Sequence, residues 1–507
     1  MATAKSTSIP SPVGGLNDRD SIADMSDKDA IILDDWWPAP SYIEVRKGSQ
    51  DHVTGFTDPV ETVVEYLPPS GASKIFAASG SAIYDATTAG AVGAAVVSGL
   101  SNAQWQSANI TTPGGSFLYM VNGADSPRLW NGTAWTAITG VSTPAITGVT
   151  TTTLAHVCLF KNRLFFTQAN SMNVWYLPVQ SIGGAASQLD FGSIFPMGGS
   201  ITACYTWTID AGSGSDDHFV IITSQGEVAV YEGTDPSSST SWRLVGVFRL
   251  GKPIGRRCGA KFGGDLVINT TEGVFPLGRS LLSASINKSV ALTDKIQNSV
   301  SAAAANYGSN DGWDIVLYPD ANMLILNIPA GNGMNYQYAQ NTITGSWTRF
   351  TGWNAYDWLN ASSGLYYGGD TAVVKAWVGT LDNGISIEAD VLPAFSFFGQ
   401  RARNKFFTMV RPNFITNGNP SIDYGLNVDF APQETQGELS VLPATGMVWG
   451  DMVWGDMTWG GALVLRNSPA TVGAVANSAA VRLRVLNNGA DVRLTNVDYL
   501  YQVGGFL

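Results

Sequence analysis

The chain has 507 residues, a formal net charge of −12, and 13% charged residues against 45% hydrophobic ones. This length exceeds one ordinary hydrophobic core, so we expect two to four domains. Low charge, 56 glycines and 16 tryptophans are typical of an all-β protein with many tight turns, and they argue against a helical bundle or a disordered chain. The negative charge disfavours a surface that grips DNA, because phosphates bind clusters of Lys and Arg. The negative charge is still compatible with a channel through which DNA slides.

The first 50 residues differ in composition from the rest and predict an acidic N-terminal arm with a short helix. Residues 1–15 are rich in Ser, Thr, Pro and Gly, which is typical of a flexible or docking segment. Ser26 and Asp29 match a helix N-cap followed by an acid in the first turn. The predicted helix ends at Trp36-Trp37-Pro38, because the residue before a proline avoids helical backbone. Residues 42–46 then predict a strand.

Residues 51–380 repeat a unit in which an apolar strand, a turn of Gly, Asn or Asp, and a second strand with Tyr or Trp follow one another. Residues 219–248 show it most clearly, because two alternating runs flank the turn at 224–226 and a third run closes the segment. Such period-two alternation predicts antiparallel strands. The units recur every 40 to 55 residues or so, roughly the length of a four-stranded propeller blade. We therefore predict a β-propeller of about six to eight blades, with a stack of separate β-sandwiches as the alternative.

Two parts of the chain depart from this pattern. Residues 290–300 have helical spacing and predict a helix that Thr293 caps. Residues 381–507 contain longer strands and predict a second β-domain of the sandwich type. Within it, residues 447–461 hold a five-residue repeat whose Met-Trp pairs fit neither a helix face nor a plain strand. We expect this repeat to form either an exposed contact ridge or a buried loop plug.

The three cysteines, Cys158, Cys204 and Cys258, are too few and too scattered for a disulfide framework. Their spacing predicts similar strand positions in successive sheets, where we expect buried structural thiols. The start of the chain lacks the apolar core of a secretory signal, and no apolar run is long enough to span a bilayer. We therefore expect a soluble protein made in the cytoplasm.

Metal binding has little support in the sequence. The three histidines lie far apart, and no CxxC pair is present. The many aspartates of the arm lack EF-hand spacing, so a solvated acidic helix is favoured over a metal site. Residues 210–217 form an oxygen-rich segment that could hold Ca²⁺, although a solvated loop is the favoured interpretation. We expect no cofactor.

The strongest enzymatic hypothesis is a propeller that cleaves glycans, since paired acids can hydrolyse glycosidic bonds on such a scaffold. Residues 309–313 are partly similar to the sialidase Asp-box, Ser-x-Asp-x-Gly-x-x-Trp, but in a single copy and with different spacing. Asp216-Asp217-His218 offers a candidate base, although its position before a strand favours a turn. The sequence has neither a nucleophile elbow nor a phosphate-binding loop.

Several long stretches carry a resemblance to a known family, and together they span nearly the whole chain. They are GGLNDRDSIADM at 14–25, DAIILDDWWP at 29–38, VRKG at 45–48, and residues 207–212, 231–258, 291–297, 341–347 and 406–412. These stretches resemble tail proteins of short-tailed bacteriophages, specifically the tail nozzle, also called the tail tubular or hub protein. The repeat at 447–461 is matched less closely.

The resemblance implies a structural virion protein, assembled in the host cytoplasm, of which six copies form a ring below the tail adaptor. Each copy would be built on a β-propeller, and the ring would conduct DNA without sequence-specific binding and carry tail fibres or spikes. An acidic chain suits such a lumen, because it repels DNA and lets it slide. The resemblance identifies no catalytic residue, so we expect neither enzyme activity nor stable membrane insertion.

We expect the contacts and the gate of this ring to involve aromatic and acidic residues of the arm, the 210–217 segment and the repeat. The candidate interface or gate residues are Trp36, Trp37, Asp210, Asp216, Asp217, Trp449, Trp454 and Trp459. Two other hypotheses stay open: a propeller that binds or cleaves glycans on the host surface, and a generic adhesion propeller.

Overall fold

A computed structural model describes residues 4–208, 217–280, 288–439 and 463–506. Within these residues the strands pair into nine sheets. Five sheets are separate antiparallel blades, four with four strands and one with three, and two further four-stranded antiparallel units each begin a larger sheet. These seven units, numbered here as blades 1 to 7, form a ring. The chain is an all-β protein built on a β-propeller, as its sequence predicts.

Before the first blade lie β1 (Ala4–Pro10), β2 (Gly15–Leu16), β3 (Asp29–Asp34), β4 (Trp36–Pro38), β5 (Ile43–Val45) and β6 (Ser49–Thr54). Blade 1 contains β7 (Val60–Tyr66), β8 (Lys74–Ser79) and β9 (Ala82–Asp85), and after β10 (Gly90–Ala91) it ends with β11 (Val97–Ser98). Blade 2 contains β12 (Gln106–Thr112), β13 (Gly115–Val121), β14 (Arg128–Trp130) and β15 (Trp135–Ala137), and β16 (Ile146–Thr147) follows it. Blade 3 contains β17 (Leu154–Phe160), β18 (Arg163–Gln168) and β19 (Asn173–Tyr176), and after β20 (Gly184–Ala185) it ends with β21 (Ser187–Asp190).

Blade 4 contains β22 (Ile201–Thr208), β23 (Asp217–Thr223), β24 (Glu227–Gly233) and β25 (Trp242–Arg249), and blade 5 contains β26 (Gly259–Phe262), β27 (Asp265–Thr270) and β28 (Gly273–Pro276). The helices α1 (Leu277–Ser280) and α2 (Gln297–Tyr307) follow. Blade 6 contains β29 (Asp314–Tyr318), β30 (Met323–Ile328), β31 (Tyr336–Asn341) and β32 (Trp347–Phe350), and blade 7 contains β33 (Asp357–Ala361), β34 (Gly364–Gly368) and β35 (Ala372–Ala376) together with β6.

After the blades come β36 (Leu381–Asp382), β37 (Ile385–Ser386), β38 (Glu388–Pro393), β39 (Arg403–Thr416), β40 (Ser421–Val428), β41 (Gly437–Leu439), β42 (Val464–Asn467), β43 (Ala470–Ala476), β44 (Ala479–Leu486) and β45 (Val492–Phe506). Single 3-10 turns lie at Thr151–Thr153, Lys288–Val290, Asp294–Ile296 and Pro319–Ala321. No helix of the described segments is long and apolar enough to cross a membrane.

The segment 219–248 forms the meander that its alternation predicts. Strands β23, β24 and β25 pair antiparallel in sequence order. The turn between β23 and β24 needs a glycine, because Gly226 has φ +85° and a Cβ would lie 2.5 Å from the carbonyl oxygen of Leu250. The side chains of this sheet pack against blade 3, where the rings of Phe165 and Phe219 have centroids 4.5 Å apart. Such an aromatic pair adds about 0.5–1.5 kcal/mol to the free energy gained from burial.

The ring closes through the N-terminal part of the chain. Strand β6 pairs antiparallel with β35 and so supplies the outer strand of blade 7. A separate hydrophobic cluster joins blade 7 to blade 1, with Val53 and Val373 beside Val63 and Ile75. Closure of this kind buries the faces of the first and last blades, which an open row of sheets would leave exposed.

The three cysteines occupy the related positions that their spacing predicts. Cys158 lies in β17 and Cys204 in β22, the first strands of blades 3 and 4, and Cys258 directly precedes β26, the first strand of blade 5. All three are buried, free thiols. The prediction of structural thiols in successive sheets is confirmed.

The N-terminal residues form no separate arm with a helix, and this prediction is wrong. β1 pairs along its whole length with β45, and residues Asp29–Asp34 form a strand that pairs with β38. Ser26 does not cap a helix, since its carbonyl accepts a bond from the Asp29 amide in a turn. The β-branched pair Ile31-Ile32 favours the pleated sheet here, where neighbouring strands supply partners that an isolated segment lacks. Strand β5 confirms the strand predicted at 42–46.

The two sheets that contain the C-terminal residues share one hydrophobic core. One sheet joins β1, β4, β5, β39, β42, β43 and β45, and the other continues from β32 of blade 6 through β3, β38, β44, β40 and β41. Phe407 and Tyr499 of the first sheet lie in the same cluster as Leu483 and Val485 of the second. Because N-terminal strands belong to both sheets and one sheet continues a blade, a separate β-sandwich of residues 381–507 is not confirmed.

The predicted helix near residue 295 exists, but it begins later and without the predicted cap. α2 starts at Gln297, after a 3-10 turn. The Thr293 side chain makes no capping bond, because its hydroxyl oxygen accepts a hydrogen bond from the Val274 amide of β28 at 3.1 Å. A tertiary contact therefore replaces the local bond that the sequence suggests.

Arg46 fastens the N-terminal strands to the propeller from a buried position. Its side chain is 1% exposed and pairs with Asp35 at 2.5 Å and with Asp382 at 2.7 Å. It also donates to the Thr351 carbonyl at 2.7 Å, and its guanidinium lies 4.3 Å from the centre of the Trp353 ring. Thr351 follows blade 6 and Asp382 follows blade 7, so removal of the Arg46 cation disconnects the N-terminal strands from both places at once.

Arg46→Met is expected to lower the free energy of unfolding by about 3–5 kcal/mol, because it leaves Asp35 buried without its counter-charge. Urea denaturation followed by tryptophan fluorescence measures this loss. The matched control is Arg401→Met, whose ion pair with Asp24 is largely exposed and is worth about 0–1 kcal/mol. Equal losses for the two variants would contradict the role assigned to Arg46.

Candidate functional site

A polar cavity lies where the innermost strands of several blades begin. A cavity of about 270 Å³ is lined there by Glu61 of blade 1, by Arg256 and Arg257 before blade 5, by Asp311 before blade 6 and by Tyr356 before blade 7. Each residue stands at or just before the first strand of its blade, so the fold brings them together around the propeller axis although they are far apart in sequence.

Arg257 spans the axis of the ring. Its Nη2 donates to the carbonyl oxygen of Glu61 at 3.2 Å, to the Thr62 hydroxyl at 2.8 Å and to the carbonyl oxygen of Trp105 at 3.1 Å. Its Nη1 pairs with the Asp357 carboxylate of blade 7 at 2.9 Å. These partners belong to blades 1 and 7 and to the residue before blade 2, so one side chain from blade 5 joins four places around the ring.

Two buried carboxylates complete this group. Asp357 accepts from the Val63 amide at 2.6 Å, and Asp314 accepts from the Trp358 amide at 3.2 Å. Burial and the negative charge of Asp357 raise the pKa of Asp314 to about 7. Burial also raises the pKa of Asp357, while Arg257 opposes that shift. The pair therefore holds a proton more readily than exposed aspartates do.

Arg256 points to the other side of the axis. Its Nη1 donates to the carbonyl oxygen of Asn122 in blade 2 at 2.8 Å. Burial and the charge of Arg256 lower the pKa of His156 to about 3, so this imidazole is neutral in the folded protein. Both arginines are thus engaged with backbone carbonyls or carboxylates of distant blades, which strengthens the ring.

The remaining groups of the cavity have limited catalytic potential. The hydroxyl of Tyr356 donates to Asp370 at 2.8 Å, and burial together with Asp370 raises the pKa of Tyr356 to about 12. A tyrosine that holds its proton this firmly is a poor nucleophile. Burial and the nearby Asp311 raise the pKa of Glu61, which is the property of a general acid. Glu61 is therefore the one group here whose protonation suits acid catalysis.

Trp36 and Trp37 do not lie on a contact surface, which corrects the prediction for both. Trp36 is 0% exposed in the large core cluster, and Trp37 is 5% exposed between Phe350 and Trp377. The physical reason is that β4 pairs with β5 and its bulky rings fill the space beside blade 6. Both tryptophans therefore pack within the core of their own chain.

Of the other predicted residues, only Asp217 lies within the described part of the chain. It begins β23, where it accepts a hydrogen bond from the Thr208 hydroxyl at 2.6 Å and pairs with Lys161 at 3.4 Å. It is not close to the axial cavity. Asp210, Asp216, Trp449, Trp454 and Trp459 lie outside the described residues.

Arg256 and Arg257 were missed as site residues by sequence reasoning. They belong to a stretch, 242–257, that holds five basic residues and no acidic one in an acidic chain. This local excess of positive charge was the only signal in the sequence that pointed to these arginines. It does not predict that their side chains reach across the propeller axis. The described residues contain no group of three or more His, Cys, Asp or Glu side chains that could hold a metal ion.

Two groups of exposed apolar side chains lie on strands that do not line the axial cavity. One group lies on β25 of blade 4 and comprises Leu244, Val245 and Val247. A second group lies on β39, β42 and β43 and comprises Phe406, Met409, Val464, Leu465 and Val475. Clustered exposed apolar residues mark contact surfaces more often than isolated ones do.

A comparison with known protein families gave no match, and a search of curated proteins gave none either. Among solved structures, the chain is similar to the Cps50 (Swd1) β-propeller domain of Myceliophteria thermophila. That similarity has 12% identity and a TM-score of 0.37 over 63% of this chain and 98% of that domain.

Two bacterial proteins are similar at the same low level. For the extracellular domain of a candidate hybrid two-component system from B. thetaiotaomicron, the sequence identity is 14% and the TM-score is 0.36. The similarity covers 62% of this chain and 38% of that one. For a candidate 6-phosphogluconolactonase from Bacteroides uniformis, the sequence identity is 12% and the TM-score is 0.34. The similarity covers 64% of this chain and 88% of that one. At these TM-scores the similarities carry no argument about function, and the propeller is assigned from its strand pairing.

Asp314→Asn is expected to gain stability relative to the wild type as pH rises from 5 to 7.5. An unfolded aspartate loses its proton near pH 4, whereas the folded Asp314 keeps it until about pH 7. The stability that this group contributes is therefore present at acid pH and is lost as pH rises through the folded pKa. Urea denaturation at both pH values should show a relative change of more than about 1 kcal/mol, the equivalent of one pKa unit.

The control for this pH dependence is Asp320→Asn, a change at an exposed residue of the turn Pro319–Ala321. Its difference from the wild type should be the same at both pH values. If Asp314→Asn also shows a constant difference, the raised pKa of Asp314 is refuted.

Proposed function

We propose that this chain is a structural virion protein that forms the ring-shaped tail nozzle of a short-tailed bacteriophage. In this proposal six copies surround a channel for DNA ejection, attach to the tail adaptor, and carry fibres or spikes. The sequence resemblance suggests the family. The observation that carries the proposal is that Arg257 at the propeller axis bonds to other blades of its own chain. The polar groups at the axis bind blades to one another, while exposed apolar side chains cluster on β25 and on β39, β42 and β43.

The proposed DNA path runs between copies and does not pass through a single propeller. Arg257 reaches from blade 5 to blades 1 and 7, so the axis of each propeller is occupied by its own side chains. The cavity at the axis has a volume of only about 270 Å³, which is too small to hold a DNA duplex. A net charge of −12 supports a lumen that repels phosphates and lets DNA slide.

Light scattering and negative-stain images of the same purified fraction test the proposal. We expect a six-fold ring with an axial hole, with a mass of six times 53.7 kDa, formed by the protein alone or after addition of the adaptor. A protein that stays monomeric or trimeric even with the adaptor would contradict the nozzle.

A propeller that binds or cleaves glycans is the second candidate, and the observation that favours it is the pair of acids in the axial cavity. Glu61 and Asp311 line this cavity together, and the pKa of Glu61 is raised by burial and by Asp311. A pair of carboxylates is the usual machinery of glycosidic hydrolysis.

If this second candidate holds, the wild type releases reducing sugar from host surface polysaccharide. Glu61→Gln and Asp311→Asn would each lower the rate by at least about 100-fold, the contribution of one acid–base group. Asp320→Asn serves as the control and should leave the rate unchanged. Absence of sugar release by the wild type would eliminate the cleaving function, and absence of glycan binding would eliminate the binding one.

A further inference from the structure

The outer strand of blade 4 is an unusually long free edge. β25 has eight residues, whereas the outer strands of blades 1, 2, 3 and 5 have two, three, four and four. The outer strands of blades 6 and 7 are covered, by β3 and by β36. Within the described residues β25 pairs only with β24, so one row of its backbone amides and carbonyls faces outward without a strand partner.

The side chains of this edge combine apolar surface with positive charge. Leu244, Val245 and Val247 are 37%, 48% and 38% exposed. Arg249 and Lys252 at the end of the strand are exposed, and no ion pair joins either to another described residue. Arg249 lies opposite Glu227 in register, but that carboxylate is buried and accepts a bond from the Met197 amide. Long apolar edges normally carry protection against pairing with other chains.

A second edge, which has no further strand partner within the described residues, has the opposite charge. β41 is the last strand of the sheet that continues from blade 6, and it pairs with β40. Asp423 of β40 lies directly opposite Glu438 of β41, and both are exposed. Like charges in opposed positions destabilise a strand pair. The nearest cation in register, Arg484, pairs with Asp390 and Glu434 instead.

The two edges are different surfaces of one copy. The basic edge belongs to blade 4, whereas β41 lies five strands beyond β32 of blade 6, in the order β3, β38, β44, β40, β41. At the usual strand separation this places β41 about 24 Å from β32. The acidic edge is therefore the far edge of a sheet that continues beyond blade 6, where a neighbouring copy can meet it. Contacts between two different surfaces of identical chains generate rings.

We propose that the basic edge at β25 of one copy docks against the acidic edge at β40–β41 of a second copy. Outward backbone groups of the two edge strands would form hydrogen bonds, as in β-augmentation. Arg249 and Lys252 of one copy would face Asp423 and Glu438 of the next, which removes the like-charge opposition. This inference rests on the proposed ring and names the contact that closes it.

Charge-swapped variants of the full chain test the contact under the conditions in which the wild type forms rings. Variant one carries Arg249→Glu and Lys252→Glu, and variant two carries Asp423→Lys and Glu438→Lys. Mass photometry should show that each variant alone loses the ring and stays near the 53.7 kDa of one chain. Mixed in equal amounts, the two variants should form rings again, since opposite charges then face each other at every contact of an alternating six-membered ring.

The matched control carries Lys5→Glu and Lys28→Glu, the same change in net charge at two other exposed lysines, and should form rings like the wild type. Circular dichroism of each variant establishes that it is folded. Rings formed by variant one alone would overturn the proposed contact, and so would a mixture that fails to reassemble. A wild type that forms no ring with or without the adaptor would instead overturn the proposed nozzle.

Discussion

The guanidinium group of Arg257 bonds to blades 1 and 7 and to the residue before blade 2, and the arrangement of the inner strands depends on it. Asp357 and Asp314 are buried beside it and need a counter-charge, because an isolated carboxylate in a protein interior is costly. The cation and the two acids hold one another in place at the axis. Beside this interaction a cavity of about 270 Å³ remains at the centre.

The same use of buried charge joins the ends of the chain to the ring. The buried Arg46 links Asp35 to Asp382, and β1 pairs with β45 over seven residues. The N-terminal segment is consequently part of the fold, and it contributes to the sheet that continues from blade 6.

Local alternation was sufficient to predict the strands of residues 219–248, because each strand shows its period and each turn its glycine or polar residue, and the recurrence of such units along the chain predicted the propeller. The spacing of the cysteines likewise revealed the equivalence of first strands in neighbouring blades. The helix expected after Ser26 was wrong because capping signals are local, whereas the partners of Asp29–Asp34 are distant in sequence. The burial of Trp36 and the reach of Arg257 across the axis depend on the same long-range packing, which no local pattern encodes.

A cryo-EM reconstruction of the assembly that the purified protein forms with its adaptor tests the central claim most directly. We expect a six-fold ring in which the axis of each propeller is filled by density for Arg257 and the wide channel lies between the six copies. A reconstruction in which the axis of a single propeller is open and forms the channel, or in which the chain forms no ring, would contradict the account.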